Sequence, residues 1–234
     1  MKKLFLLVII SLLTAKGFTQ TIIQRDPEIE QMVKEVSPDS LRSYITKMVS
    51  FGTRSTLSST TDRNRGIGAA RNWVLSKFRD FAKQSNGRLT AIIDTATYQP
   101  DHRRVDHPIN LGNVVATLKG TDAEDNRIFI ISGHLDNMRT NVRDSLGDAP
   151  GANDDGSGSA AVLECARIMS KHSFPATIIF VTVSGEEQGL LGATYMANKA
   201  RKENWNIEAV LNNDIMGSNN SNETNIIDNT KVRV

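Results

Sequence analysis

One imidazole and a set of carboxylates stand at the ends of apolar runs in this chain: His134-Leu135-Asp136, Asn153-Asp154-Asp155-Gly156, Ser184-Gly185-Glu186-Glu187 and Asn213-Asp214. Nitrogen and oxygen donors without a thiolate suit zinc, with cobalt or manganese as substitutes. One aspartate carboxylate can bridge two cations about 3.5–4 Å apart, as two-metal hydrolases require, and Asp154 is the candidate bridge. Asp136, two residues after His134, is placed to accept the second ring N–H of that histidine and fix its tautomer. Glu186 and Glu187 repel each other with no basic residue within three positions. A cation relieves that repulsion, and because consecutive side chains diverge, one glutamate can bind metal while the other faces water.

Each cluster has a plainer reading. His134 suits a strand-end hydrogen bond, Asp154 and Asp155 suit helix capping, Glu186-Glu187 suits a solvated turn and Asp214 an Asx-turn. Four such coincidences at successive element ends favour a shared site. The elements follow from periodicity: helical spacing over 26–51 in two short helices, the second capped by Ser37 before Pro38; a helix over Asp62 to Gln84; strands over Leu89 to Tyr98 and Asn113 to Leu118. Arg127 to Ser132 and Ala176 to Val183 are compact apolar runs suited to strands covered on both faces. Helices are expected over Ser157 to Met169 and Gly189 to Lys202, and a short strand over Ala209 to Asn212. Strands alternating with helices predict an α/β fold with a mostly parallel, mixed central sheet flanked by helices on both faces. Ligands in such sheets bind beyond the carboxyl ends of the strands, where these clusters fall. Gly66-Ile67-Gly68 lies inside a helical pattern instead of following a strand, so a phosphate loop is not expected there.

Residues 1–20 read as a secretory signal peptide: Lys2 and Lys3, an apolar run from Leu4 to Leu13, then small and polar residues. The run is too short to span a bilayer and no later stretch approaches the roughly 20 apolar residues needed, so an exported protein, periplasmic or extracellular, is expected. The formal charge of +2 comes from 28 basic and 26 acidic residues. Removing Lys2, Lys3 and Lys16 with the leader leaves 25 against 26. No segment carries the basic stripe with interleaved aromatics that nucleic acid favours. The single cysteine, Cys165, excludes an intrachain disulfide. Residues 21–234 suit one domain.

The segments HLD, PGANDDGSGSAAVLE, SGEEQGLLGA and NNDIMG, in that order, together with Phe51-Gly52-Thr53-Arg54, resemble the M28 family of zinc peptidases, of the secreted aminopeptidase type. The resemblance implies a zinc-exopeptidase fold and two zinc ions: His134 and Asp214 on one, Asp154 bridging, Glu187 on the second, and Glu186 as general base. It also implies a cis peptide between Asp154 and Asp155, and peptide substrates shortened from the amino terminus by water activated at the metal pair. Family members complete the second zinc with a histidine well downstream of the Asp214 motif. Residues 215–234 contain none, so the resemblance implies a catalytic domain incomplete at its C-terminus, with its second site one ligand short and a chain that alone lacks full activity. Lys231 to Val234 reads as the start of a strand. Other activities compatible with the motifs are a dizinc carboxypeptidase, a single-zinc transferase of the glutaminyl-cyclase kind, and a non-catalytic binding domain. The site motifs are acidic and lack the arginine clamp a carboxypeptidase needs for a substrate carboxylate, which favours the aminopeptidase.

Overall fold

A computed structural model describes residues 25–218; the signal segment and the strand expected at the chain end lie outside the described residues. The described residues 25–34 belong to a unit separate from the one that begins at Glu35. They contain helix α1 (Pro27–Lys34), whose Ile29 and Val33 are exposed.

From Glu35 onward, helices α2 (Pro38–Val49), α3 (Gly66–Ala82), α4 (Gly156–Met169) and α5 (Leu191–Lys202) accompany strands β1 (Leu89–Tyr98), β2 (Ile109–Leu118), β3 (Arg127–His134), β4 (Thr177–Val183) and β5 (Asn206–Asn212). The strands form one sheet in the order β1-β2-β4-β3-β5. β1 and β2 pair antiparallel, as do β2 and β4, whereas β3 pairs parallel with both β4 and β5. The sheet is therefore mixed, and its parallel half carries the site motifs.

Period-two alternation divides the side chains between two layers. Ile178 and Phe180 of β4, Val114 and Ala116 of β2 and Ile131 of β3 face a core built with Met48 of α2, Phe78 of α3 and Leu163 of α4. Ile179, Val181 and Val183, with Val115 and Ile130, face the opposite side, where Met196 of α5 covers them. Helices thus lie on both faces, which is why the runs in β3 and β4 are almost continuously apolar. Ser37 caps α2, its Oγ accepting the Ser40 N–H at 3.2 Å, with proline opening the first turn. Helix α3 begins four residues later than its periodicity suggests, because Asp62 accepts the N–H groups of Asn64 and Arg65 in a preceding turn. Among the described residues β5 closes the sheet, with Val210 and Leu211 exposed. Among the described residues no helix is long and apolar enough to cross a membrane.

Candidate metal centre

Parallel pairing of β3 with β4 sets His134 opposite Val183, so the turn after β3 runs beside the turn after β4. The backbone of His134 is clasped from α4: its N–H donates to Asp155 Oδ2 at 2.8 Å, and its carbonyl accepts from Ser159 Oγ at 2.8 Å. Asp155 also caps α4, its Oδ1 accepting the Gly158 N–H at 2.9 Å. The two aspartates therefore divide their work. Asp155 is fully buried and capping, while Asp154, joined to it by a cis peptide, is exposed and turned to the site. The turn bearing Asp214 is tied to the same helix start, Met216 N–H donating to Ser157 Oγ and Gly217 N–H to Asn153 Oδ1. Gly158 allows this close approach, since a Cβ there would lie 2.2 Å from the Asn213 carbonyl oxygen.

These constraints bring the expected residues together. Nε2 of His134 lies 3.1 Å from Asp154 Oδ1, 3.8 Å from Asp214 Oδ1 and 4.0 Å from Glu186 Oε2. Two groupings offer ligand atoms all within 4.8 Å of one another, His134 with Asp154 and Asp214, and His134 with Glu186 and Glu187. Two ligands each about 2.0–2.2 Å from one tetrahedral zinc lie roughly 3.3–3.5 Å apart, and the first grouping has that scale. The donors present fit zinc.

Asp136 differs from expectation. His134 Nδ1 meets the Asp136 main-chain oxygen at 3.1 Å, while the carboxylate oxygen is 3.7 Å away, too far for a hydrogen bond. The fully buried carboxylate instead accepts the backbone N–H groups of Glu186 and Glu187, each at 3.2 Å. It positions the glutamate turn, a role that depends on the neighbouring strand and is invisible in the spacing of HLD.

Sequence reasoning gave Arg54 no role of its own. This guanidinium is 1% exposed, and it donates to the carbonyls of Leu135 (2.8 Å), Met48 (3.2 Å), Pro150 (2.9 Å) and Gly151 (2.8 Å). It thereby fastens the segment preceding Asp154 to the His134–Asp136 turn. Burial lowers its pKa to about 10, opposed by Asp136, Asp155 and Asp154, so it stays charged at neutral pH. Arg71 is similarly buried beside Asp136 and bonded to the Asn110 carbonyl and Ser184 Oγ. Thr56 Oγ1 accepts the Gly185 N–H at 2.9 Å. The available signal was that Arg54 is the only charged residue between Phe51 and Thr61.

Without a cation, Asp155, Glu186 and Glu187 hold their protons more tightly than free carboxyls do. Burial pushes the Asp155 carboxyl up to about 7 despite its two N–H donors and the His134 charge. Burial, then Asp136 and Asp154, push Glu187 to about 7, and burial also raises Glu186. Burial opposes the charged form of His134, but the carboxylates of Asp136, Asp155 and Glu186 outweigh it and raise it to about 10. Between about pH 4 and 7 the unfolded chain has released carboxyl protons that the folded chain still holds, so rising pH favours unfolding. His134 adds the same sign from its ordinary 6.5 up to about 10. The metal-free protein is accordingly expected to melt roughly 5–10 °C lower at pH 8 than at pH 5. Saturating zinc should cancel most of that fall, because metal ligands bind deprotonated. Thermal melts in chelator and in zinc check this, and a chelated midpoint that rises over the interval would contradict it.

A sequence model of peptidase family M28 matches residues 113–232, more than half of the chain. This chain belongs to peptidase family M28. Proteins named "probable zinc metalloprotease" from Leptosphaeria maculans and Pyricularia oryzae are each 45% identical to it over 193 residues, covering 82% of this chain but 44% and 38% of their own lengths. The chain thus spans less than half the length of these relatives. Among solved structures, the LapA aminopeptidase of Legionella pneumophila superposes with a TM-score of 0.62 at 24% identity, over 84% of this chain and 48% of that one. A Porphyromonas gingivalis glutaminyl cyclase superposes with a TM-score of 0.62 at 20% identity, over 78% and 62%. Both show that the chain shares their zinc-exopeptidase-type fold.

Proposed function

We propose that this chain carries the site of an exported zinc-dependent aminopeptidase, which removes N-terminal residues from peptides with the aid of two zinc ions. The observation that carries the reading is the convergence of Asp154 and Asp214 on His134 Nε2, with Glu186 and Glu187 against the same imidazole. His134, Asp154 and Asp214 would hold one ion, and Asp154 with Glu187 the second. Zinc bound there would polarise a peptide carbonyl and lower the pKa of an attacking water.

The chain's own residues do the rest. Glu186 is one-third exposed and beside the imidazole, placed to take a proton from water and return it to the departing amine. Burial and neighbouring charge raise its pKa, which suits a carboxylate that must also act as an acid. Asp136 fixes the backbone of both glutamates. Export rests on the leader at 1–20.

The test is hydrolysis of leucine p-nitroanilide and of its N-acetylated counterpart. Chelator-sensitive release from the free amine, with at least about tenfold less from the blocked one, is the expected result. Equal rates on both substrates would remove the aminopeptidase assignment, and cyclisation of glutaminyl peptides without fragment release would favour the transferase.

A further inference from the structure

Two arginines beside the glutamate turn are held by main-chain oxygens. The loop between β1 and β2 folds around Asp101, whose Oδ1 accepts the N–H groups of Arg103, Arg104 and Val105. The side chain of Val105, fully buried, clusters with Leu57, Ile109 and Leu111, and Leu191 packs against them just beyond the glutamate turn. That plug holds the neighbouring Arg104 over the turn, where Nη1 donates to the Glu187 carbonyl. Arg143, from the loop after β3, donates Nε to the Arg103 carbonyl and Nη2 to the His102 carbonyl. Both guanidinium groups are therefore held by main-chain oxygens, and both are exposed. Among the described residues neither forms an ion pair. Asp106 is closest in character to a partner and feels the Arg143 charge, but its Oδ1 is taken by His107 at 2.6 Å. Asp144 pairs with Arg139 instead.

We infer that Arg104, supported by Arg143, receives a substrate carboxylate on the residue following the scissile bond. This rests on the peptidase reading of the site and names the substrate class it prefers, peptides with an anionic group at that position. Reach agrees. The Arg104 guanidinium touches the main chain of the residue whose carboxylate belongs to the cluster, so it lies within about 10 Å of that cluster by covalent geometry. One extended residue and a charge-assisted hydrogen bond cover about 6 Å, well inside that upper limit, and an acidic side chain reaches further. A planar guanidinium with free N–H groups, already oriented by a carbonyl, is suited to bind a carboxylate by two parallel bonds. The carboxylate has two sources, the free α-carboxylate of a dipeptide or an acidic side chain in a longer peptide.

Calorimetric binding to the zinc-loaded Glu186→Gln protein separates these possibilities without requiring turnover. Leucylglycine is compared with leucylglycinamide, and leucylglutamate amide with leucylglutamine amide. At least one carboxylate-bearing member is expected to bind about tenfold more tightly than its neutral counterpart, and the pair that shows the difference identifies the source. Arg104→Met in the same background should reduce the ratio to about one. Equal affinities within both pairs, or a preference that survives Arg104→Met, would overturn the inference. Anilide hydrolysis by the wild-type protein tests the peptidase reading separately, and its failure leaves the binding comparison readable.

Discussion

Glu186→Gln is expected to lower kcat by about 10³-fold, within the range that a positioned general base contributes, while zinc content stays as in the wild type. The substitution keeps size and leaves the backbone N–H that donates to Asp136 intact, so the turn holding Glu187 should not move. Only the proton acceptor is lost. Metal analysis alongside steady-state kinetics on an aminoacyl anilide gives both readouts. Activity within tenfold of wild type would remove Glu186 from the proton-transfer role, and loss of zinc would reassign it as a ligand.

The second large effect is expected at a residue that touches no substrate. Arg54→Met should cost about 4 kcal/mol or more in urea denaturation, a magnitude seldom reached by single substitutions. The change removes four hydrogen bonds from a buried cation, each worth about 1.5–3 kcal/mol when one partner is charged; Leu135 and Pro150 lose this donor outright, while the Met48 and Gly151 carbonyls keep the N–H groups of Phe51 and Gly156. Arg54→Lys should recover little, because one ammonium cannot reproduce a planar fork serving several carbonyls. Zinc affinity should fall with stability, since the guanidinium fastens the segment before Asp154 to the turn after β3. A stability loss under 1 kcal/mol would show that water replaces these bonds without cost.

The elements that were legible are those whose burial writes a periodic pattern. β3 and β4 were visible as apolar runs, and α2 through its Ser37-Pro38 start. β2 begins at Ile109, not Asn113, because its pairing with β1 continues to Tyr98 opposite Ile109, and Pro108 and Gly112 gave that stretch the look of a loop. β5 begins at Asn206 because its pairing with β3 starts there, opposite Arg127, and polar residues such as Glu208 hid that stretch. In the site, His134, Asp154, Glu186, Glu187 and Asp214 could be gathered in advance because each closes an apolar run or opens a helix. The capping reading also held, for Asp155. The partner of Asp136 could not be read, since it depends on which strand lies beside β3. Arg104 escaped notice because it lies in a loop far from the motifs.

The prospective ligands sit at positions 134, 154, 187 and 214, each delivered by a different part of the sheet and its covering helices. None of these four segments by itself supplies more than two donors, so this site does not exist until the sheet has brought them together. Folding must come first and metal second, the reverse of a zinc finger. A chelator would therefore leave behind a weakened but still folded body, ready to be recharged.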